Sequence, residues 1–390
     1  MEATYPALYS AFDPYPSPKG SGTHIRHFSA TLFEQYGGGL LYSLGPADEP
    51  STQTEGNICY QRFNRPIRNY LQRAEAFTKK LQSIVAAQSD LKMVHFRDIW
   101  SGLPLLEAQR NYATLFEVNG LPSVELPYRY GKLLVSTCQK IYQLEQDCLQ
   151  QADHIVVPSS TIRSYLTKRL IPEDKITLIP NGADIPPAAP RPKDAPEAYL
   201  IYFGALQPWQ GVDVALKALR YLQDFDQLKL IICAAHRRHY VKPYRKLAEK
   251  LGVADRIVWK FRLSQEELWA YVQHAVLSLA PLREGPRNLE QGCCPLKVLE
   301  SMACGTTVVA SDLPVVRELL TDREDGRLIK ADRPAELARA IRVLLDHPEE
   351  NRKLAARAKA KVASRYSWEI QRKKLAQLYQ SLNHNQTAHV

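Results

Sequence analysis

The segment from Gly292 to Asp312, GCCPLKVLESMACGTTVVASD, gathers the residue types best suited to chemistry. Pro295 suits the first position of a helix, where a missing N–H costs nothing. The amides of residues 296–298 then point out of the helix N-terminus, where backbone donors and the helix dipole favour an anion. Lys297 adds a cation there, and Glu300 follows one turn later on the same helix. Gly305 closes that helix, and TVVAS reads as a fully buried strand. A second candidate is the loop DPYPSPKGSGTHIRHF, which follows a strand and opens a helix. Its Gly20 and Gly22 allow backbone to approach a ligand closely. His24 reads either as a helix residue facing solvent or as one facing the ligand. In VHFRDIWSGLP, Arg97 stands at the end of a strand, where it can bind a sugar or a phosphate; a surface pair with Asp98 is the equal alternative. In FEVNGLPSVEL, Asn119 can hydrogen-bond but cannot titrate, and Glu125 reads as a capping or surface residue.

These residues must be held by alternating strands and helices, a pattern that runs from end to end and argues for parallel, doubly wound sheets. In the first half ALYSAF, GLLYSL, KMVHF, ATLFEV, HIVVP and KITLIP read as strands, with long amphipathic stretches at 66–88 and 133–151. In the second half YLIYFG, LKLIICA, RIVWKF, VLSLAPL, TVVAS and GRLIK do so. The turn signal Asn181-Gly182 precedes PPAAPRPKDAP, too rich in proline for helix or central strand and suited to a stiff linker. The expected division is therefore 1–185, a linker at 186–197, 198–365, and a terminal amphipathic helix over 366–390. Trp368 and Tyr379 lie on or near the apolar side of that helix. Ser264 followed by QEEL reads as an N-cap with Glu267 completing a capping box.

The segment around Glu300, continued by DLPVVREL, resembles the nucleotide-sugar site of the retaining glycosyltransferases of family 4, which have the GT-B fold. The resemblance implies an α/β chain with two Rossmann-like domains facing a cleft and a C-terminal helix crossing back to the first. It implies that Glu300 holds the ribose hydroxyls and that the backbone at Cys294, Leu296 and Val298 receives the diphosphate. YFGALQPWQGVDVALKAL resembles the family's GRLxPEKG motif, which adds Gly204 and Gln210 to the donor side. KFRLSQEEL resembles the strand and loop that meet the nucleobase, with Arg262 beside it. Gly20 and Gly22 match the glycine-rich loop facing the donor phosphates. Lys297 and Arg97 are the catalytic cations this reading assigns, and His24, Asp98 and Asn119 fall on the acceptor or sugar side. The implied reaction moves a sugar from a nucleotide-diphosphate sugar to an acceptor hydroxyl with retention, in polysaccharide, glycolipid or glycoconjugate synthesis. No metal motif is visible and no cofactor is expected.

Three departures from the family pattern bear on that reading. Ala205 stands where the motif has Arg, and Gln210 where it has Lys, which leaves Lys297 as the obvious cation unless Arg283, Arg287 or Arg97 reaches in. Gly292 stands where a second Glu usually contacts the donor sugar, and the loop before it offers Glu284, Arg287, Asn288, Glu290 and Gln291 instead. Asn119 replaces a His. A catalytically inactive GT-B scaffold is accordingly the alternative, and a nucleotide-sugar epimerase lacks its acid–base groups. A nicotinamide-dependent dehydrogenase fails for want of a GxGxxG fingerprint.

At 390 residues, 45% hydrophobic and 24% charged, the chain has the composition of a globular protein large enough for two domains. No window approaches the apolar length of a membrane span, and no secretory signal is visible at MEATYPALYSAF. Seven scattered cysteines form neither a disulfide framework nor a zinc pattern, which suits a reducing cytoplasm. The adjacent Cys293 and Cys294 read as small packing residues rather than a redox or metal pair. The net charge of +10 and the basic run HRRHYVKPYRK, expected to open a helix, come without any nucleic-acid signature. The basic, aromatic stretch YRYGK suggests peripheral contact with an anionic membrane at its inner face, where a lipid-linked acceptor would lie. Sugar and small-molecule acceptors stay equally open.

Overall fold

The computed structural model describes residues 4–17, 20–46, 49–106, 110–131, 133–234 and 238–387. Pro18, Lys19, Lys132, His236, Arg237 and residues 388–390, which the sequence reading touches, lie outside the described residues. The chain packs as two compact units: one gathers the chain to residue 17, Ser21–Pro180 and the chain from Gln371, while the other includes Asn181–Ile370.

The first unit runs β1 (Ala7–Pro14), α1 (Gly20–Tyr36), β2 (Gly39–Leu44), β3 (Thr52–Glu55), β4 (Ile58–Phe63), α2 (Tyr70–Ala86), β5 (Met93–Phe96), α3 (Ile99–Leu106), β6 (Ala113–Glu117), α4 (Pro122–Arg129), α5 (Val135–Gln151), β7 (His154–Val157), α6 (Ser160–Lys168) and β8 (Ile176–Leu178). Its sheet has the order β3-β4-β2-β1-β5-β6-β7-β8. Strand β1 pairs in parallel with both β2 and β5, so the topological switch point, where doubly wound sheets bind ligands, falls between β1 and β5. The expected all-parallel sheet needs one correction. Strands β3 and β4 form an antiparallel hairpin at the edge, turned at Gly56 with φ +59°. TQTE and ICYQRF carry too many polar residues to stand out as strands; β3 tolerates that as the exposed edge strand, and β4, next to it, is only partly buried.

The second unit runs β9 (Ala198–Gly204), α7 (Val212–Leu219), β10 (Leu228–Ala234), α8 (Lys242–Leu251), β11 (Ile257–Phe261), α9 (Gln265–Gln273), β12 (Leu277–Ala280), α10 (Leu296–Ala303), β13 (Val308–Ser311), α11 (Pro314–Arg317), β14 (Arg327–Ile329), α12 (Pro334–Asp346) and α13 (Pro348–Lys361), then enters α14 (Trp368–Thr387). Its six strands, in the order β11-β10-β9-β12-β13-β14, are all parallel. Continuous apolar runs such as LKLIICA are buried on both faces by helices, as a central parallel strand requires. The capping box of Ser264 and Glu267 forms as read.

The proline-rich segment is not a free linker. Ala189 N–H donates to Gln273 Oε1 at 2.8 Å, Gln273 Nε2 donates to Pro187 O at 2.7 Å, and Tyr271 and Lys260 both bond Asp194. The segment lies strapped along α9 and β11 of its own unit. Helix α14 begins in the second unit, where Trp368 covers Gly182 so closely that a Cβ there would meet its Cα at 2.8 Å. From Gln371 onward the helix belongs to the first unit, with Leu375 and Tyr379 fully buried and Arg372 bonded to Thr31 and Glu34. Among the described residues no helix is long and apolar enough to cross a membrane.

Candidate functional site

In the second unit the carboxyl ends of β9 and β12 meet the start of α10. Val298, Leu299, Met302 and Ala303 anchor this helix in one apolar core with β13, and Lys297 reaches Tyr202 and Gly204 at the carboxyl end of β9, with Glu300 half-buried one turn on. Gly305, with φ +76°, ends it. Two expectations about its start need correction. Pro295 occupies the N-cap rather than the first helical position, with φ −72° and ψ 103°, and the Val298 amide is spent on Pro295 O at 3.0 Å. The amides of Leu296 and Lys297 lack an acceptor within the helix, as first-turn amides do. Just before them, the Cys294 carbonyl accepts from Asn181 Nδ2 at 2.7 Å, so Asn181 fixes the entry to the helix. The sequence reading used Asn181 only as a turn signal.

Lys297 is buried, and among the described residues its Nζ has no hydrogen-bond partner. It rests 4.0 Å from the centroid of the Tyr202 ring, a cation–π contact. Gly204 lies beside the lysine, where a Cβ would stand in ordinary contact at 3.8 Å from Nζ; its φ of +117°, not the space, is what calls for glycine. Tyr202 in turn holds the carbonyl of Ala205 through its hydroxyl at 2.7 Å. Burial pushes the Lys297 ammonium down to about 7, against the opposing pull of Cys293 and Glu300. Burial likewise pushes the half-buried Glu300 carboxyl up to about 7, with Asp184 adding to it and Lys297 opposing. A buried cation without a partner, beside free helix-start amides, can take up an anion; the carboxylate one turn away can accept hydroxyls.

The alternative cations are otherwise engaged. Arg283 pairs with Asp332 at 2.6 Å and lies 3.7 Å from Asp213. Arg287 donates to the carbonyl of Gly292, within its own loop. Asn288 is 1% exposed and spends its amide on Trp209 O at 3.0 Å and Arg283 O at 2.8 Å, tying the loop after β12 to the loop after β9. Arg287 and Asn288 thus shape the site's walls instead of pointing into it. Gln210 sits in the turn before α7, its Oε1 buried without a partner, and Gly211 is required there because a Cβ would meet Pro281 O at 1.7 Å. Arg262 is exposed at the end of β11 with φ +50°. Burial raises the Cys294 thiol far above its ordinary value, and the described residues hold no group of three or more metal-ligating side chains.

The first unit brings a second set of residues together at its switch point. His24, Arg97 and Asn119 converge on Glu117, the last residue of β6, which the sequence reading missed because it looked like part of an apolar strand. Glu117 is 1% exposed. It accepts from the Tyr9 hydroxyl at 2.7 Å and from Arg97 and Asn119. His24 Nδ1 stands 3.1 Å and His95 Nε2 3.2 Å from its oxygens. A clustered demand for one carboxylate is visible only once three strands and a helix are side by side. His24 is buried and stacked on Phe28 at 4.0 Å, so the solvent-facing alternative falls away. The Arg97–Asp98 surface pair does not form either. Asp98 caps α3, accepting from Ser101 N at 2.9 Å and from Phe12 N at 2.5 Å, and burial raises its carboxyl to about 6. Gly20 and Gly22 open α1, and a Cβ at Gly22 would meet Ser17 O at 2.1 Å.

Residues 188–361 match the family described as Glycosyl transferases group 1, and residues 18–185 match Glycosyltransferase Family 4. Among curated relatives, the D-inositol 3-phosphate glycosyltransferase of Corynebacterium glutamicum (strain R) is 28% identical over 253 residues, 60% of this chain and 59% of that protein. The glycogen synthase of Mycobacterium tuberculosis is 25% identical over 343 residues, 86% of this chain and 79% of that protein. The chain spans about half the length of the first relatives it matches, 57%, 48% and 43%. Among solved structures, a sucrose-phosphate synthase from Thermosynechococcus elongatus superposes with a TM-score of 0.80 at 20% identity, covering 96% of this chain and 98% of that one. Anabaena Alr3699/HepE in complex with UDP-glucose does so with a TM-score of 0.73 at 16% identity, covering 96% and 99%. These likenesses establish the GT-B fold.

Proposed function

The chain belongs to the group 1 glycosyl transferases of family 4, and on that premise we propose that it transfers a sugar from a nucleotide-diphosphate sugar to an acceptor hydroxyl, with retention of anomeric configuration, in polysaccharide, glycolipid or glycoconjugate synthesis. The observation that carries this reading is Lys297, a buried ammonium in the first turn of α10 that has no hydrogen-bond partner among the described residues. A diphosphate placed there gains a charge-assisted partner and the Leu296 and Lys297 amides, which stabilise the negative charge as the sugar–phosphate bond breaks. Glu300 holds the ribose, Gly204 and Gln210 line the phosphate side, and Arg262 borders the base. In the first unit Arg97 binds an oxygen or phosphate of the acceptor. Retaining glycosidases place two carboxylates about 5 Å apart, one of them as nucleophile. Here the transfer instead runs through same-face attack, with the leaving phosphate taking the acceptor proton. No cofactor or metal enters this account.

A thermal-shift panel of UDP, GDP and ADP with their sugar conjugates tests the reading. One nucleotide at 100 times its dissociation constant should stabilise the wild type by about 2.7 kcal/mol, and Glu300→Ala should lose most of that shift. If no nucleotide stabilises the protein, the absence of the two motif cations at Ala205 and Gln210 has disabled the site, and the inactive scaffold takes precedence.

The acceptor side carries a further proposal, peripheral contact with an anionic membrane. Tyr128, Tyr130, Leu134 and Val135 are 38%, 39%, 70% and 73% exposed at the junction of α4 and α5, with Arg129 and Lys140 nearby in the chain. Such an aromatic and basic rim suits a lipid headgroup layer, and a lipid-linked acceptor would lie within its reach. Flotation with vesicles containing phosphatidylserine should recover the wild type and not Leu134→Glu/Val135→Glu. Recovery independent of anionic lipid removes the proposal.

A further inference from the structure

We propose that Glu117 is the positioning residue of the acceptor side: it aims the Arg97 guanidinium at an anionic group of the acceptor, and helix α14 braces that geometry through His95 and Tyr379. The inference rests on the transferase reading above. Its groups all lie in the first unit: Glu117, His95, Arg97 and Asn119 at or just beyond the carboxyl ends of β5 and β6, Tyr9 within β1, His24 on α1 and Tyr379 on α14.

The geometry is that of a carboxylate surrounded by donors. Tyr9 from β1, Arg97 from just beyond β5, and Asn119 from just beyond β6 all donate to Glu117. The imidazoles of His24 and His95 face it at 3.1 and 3.2 Å. His95 lies between two partners, Glu117 on its Nε2 and the Tyr379 hydroxyl at 2.6 Å on its Nδ1. The hydrogen bond between His95 Nδ1 and the Tyr379 hydroxyl fixes the ring, so that Nε2 faces Glu117 in close contact without a hydrogen bond of good geometry. Burial lowers both histidines below their ordinary values, so the charges of the cluster are the Glu117 carboxylate and the Arg97 guanidinium. Arg97 also reaches Asp13 at 3.3 Å, and that carboxylate is 41% exposed while the Arg97 side chain is 10% exposed. The guanidinium therefore has Nη1 held by the buried Glu117 and Nε by the half-exposed Asp13, and Nη2 is the nitrogen left to meet an anion. A buried ion pair contributes little net stability compared with apolar packing, but it fixes a planar fork in one orientation. That is what recognition of a phosphate or carboxylate by arginine requires.

Binding of glucose 6-phosphate and of glucose, measured calorimetrically, tests this with probes that differ in one anionic group. Positioning predicts that Glu117→Gln, which keeps shape and removes the charge, weakens glucose 6-phosphate binding about tenfold or more. Pure electrostatics predicts the opposite sign, because deleting a negative charge beside an anion site should tighten binding. Arg97→Lys should weaken it by a similar factor, and Arg97→Lys/Glu117→Gln no further, since both act through one contact. Tyr379→Phe, a milder change should Glu117→Gln fail to fold, should weaken it in the same direction. Tighter or unchanged binding in Glu117→Gln, additive losses in the double variant, or no preference for glucose 6-phosphate over glucose in the wild type overturns the proposal. The nucleotide panel reports on the second unit alone, so failure of the transferase reading registers separately.

Discussion

Lys297→Met should lower kcat/KM for the nucleotide-sugar donor by about 10²–10³-fold, the loss seen when a preorganised partner of developing negative charge is removed. Methionine keeps the length and the contact with Tyr202 while deleting the charge. Among the described residues the buried ammonium has no hydrogen-bond partner, and the candidate substitutes Arg283 and Arg287 are committed to Asp332 and to Gly292. The same lysine gives the reaction a pH signature. With the free ammonium pushed down to about 7, kcat/KM should fall as pH rises above 7. Diphosphate binding restores the charged form, and ribose hydroxyls restore the Glu300 carboxylate, itself raised to about 7 in the free protein. Nucleotide binding should therefore take up a proton at pH 8, where Lys297 starts neutral, and release one at pH 6, where Glu300 starts protonated. Calorimetry in buffers of different ionisation enthalpy measures both signs. The stability of the free protein carries the matching trend. The unfolded lysine titrates near 10.4, so the unfolded state binds more protons between about pH 7 and 10, and this residue makes stability rise across that window. Lys297→Met should abolish that rise. A binding reaction without proton exchange at either pH would mean that Lys297 does not meet the phosphate.

Arg169→Ala should cost the first unit about 3–5 kcal/mol, the penalty for breaking a buried ion pair by removing one partner. Arg169 is 7% exposed and Glu145 fully buried, with their charged atoms at 3.0 Å. The guanidinium also donates to Gln146 Oε1 at 3.1 Å and to Tyr142 O at 3.2 Å, and its centre lies 3.9 Å from the Tyr142 ring centroid. Glu145 meanwhile accepts from Ser123 N and Oγ, both at 2.6 Å, so one carboxylate joins α4, α5 and the end of α6. Burial raises the Glu145 carboxyl above its ordinary value in spite of these donors. Protonation therefore relieves the unpaired state, and the penalty of Arg169→Ala should shrink as pH falls. Hydrogen exchange of α4 and α5 measures the change without interference from the second unit. A loss below about 1 kcal/mol would place this pair with the solvent-screened ones.

The alternation of strands and helices, the apolar runs that must be buried in parallel sheets, a helix beginning near Pro295, and Lys297 with Glu300 one turn apart on it are legible along the chain. Those features are local: propensity, periodicity and caps act within a few residues, so they can be read along the chain. The polar hairpin β3–β4 was hidden because an edge strand needs no apolar pattern. Only the tertiary structure decided which charges meet. Arg287 turns back onto its own loop, Asn288 ties that loop to the one after β9, Asp98 is consumed by a helix cap, and Val298 loses its amide to Pro295 O. Glu117, unremarkable in ATLFEVNG, becomes the centre of its unit because Tyr9 and Arg97, far away in the chain, join Asn119 in donating to it, while His24 and His95 face it and α14 supplies Tyr379 to hold His95. Desolvation and Coulomb partners depend on distances across the fold, and those distances are not written in the spacing of residues along it.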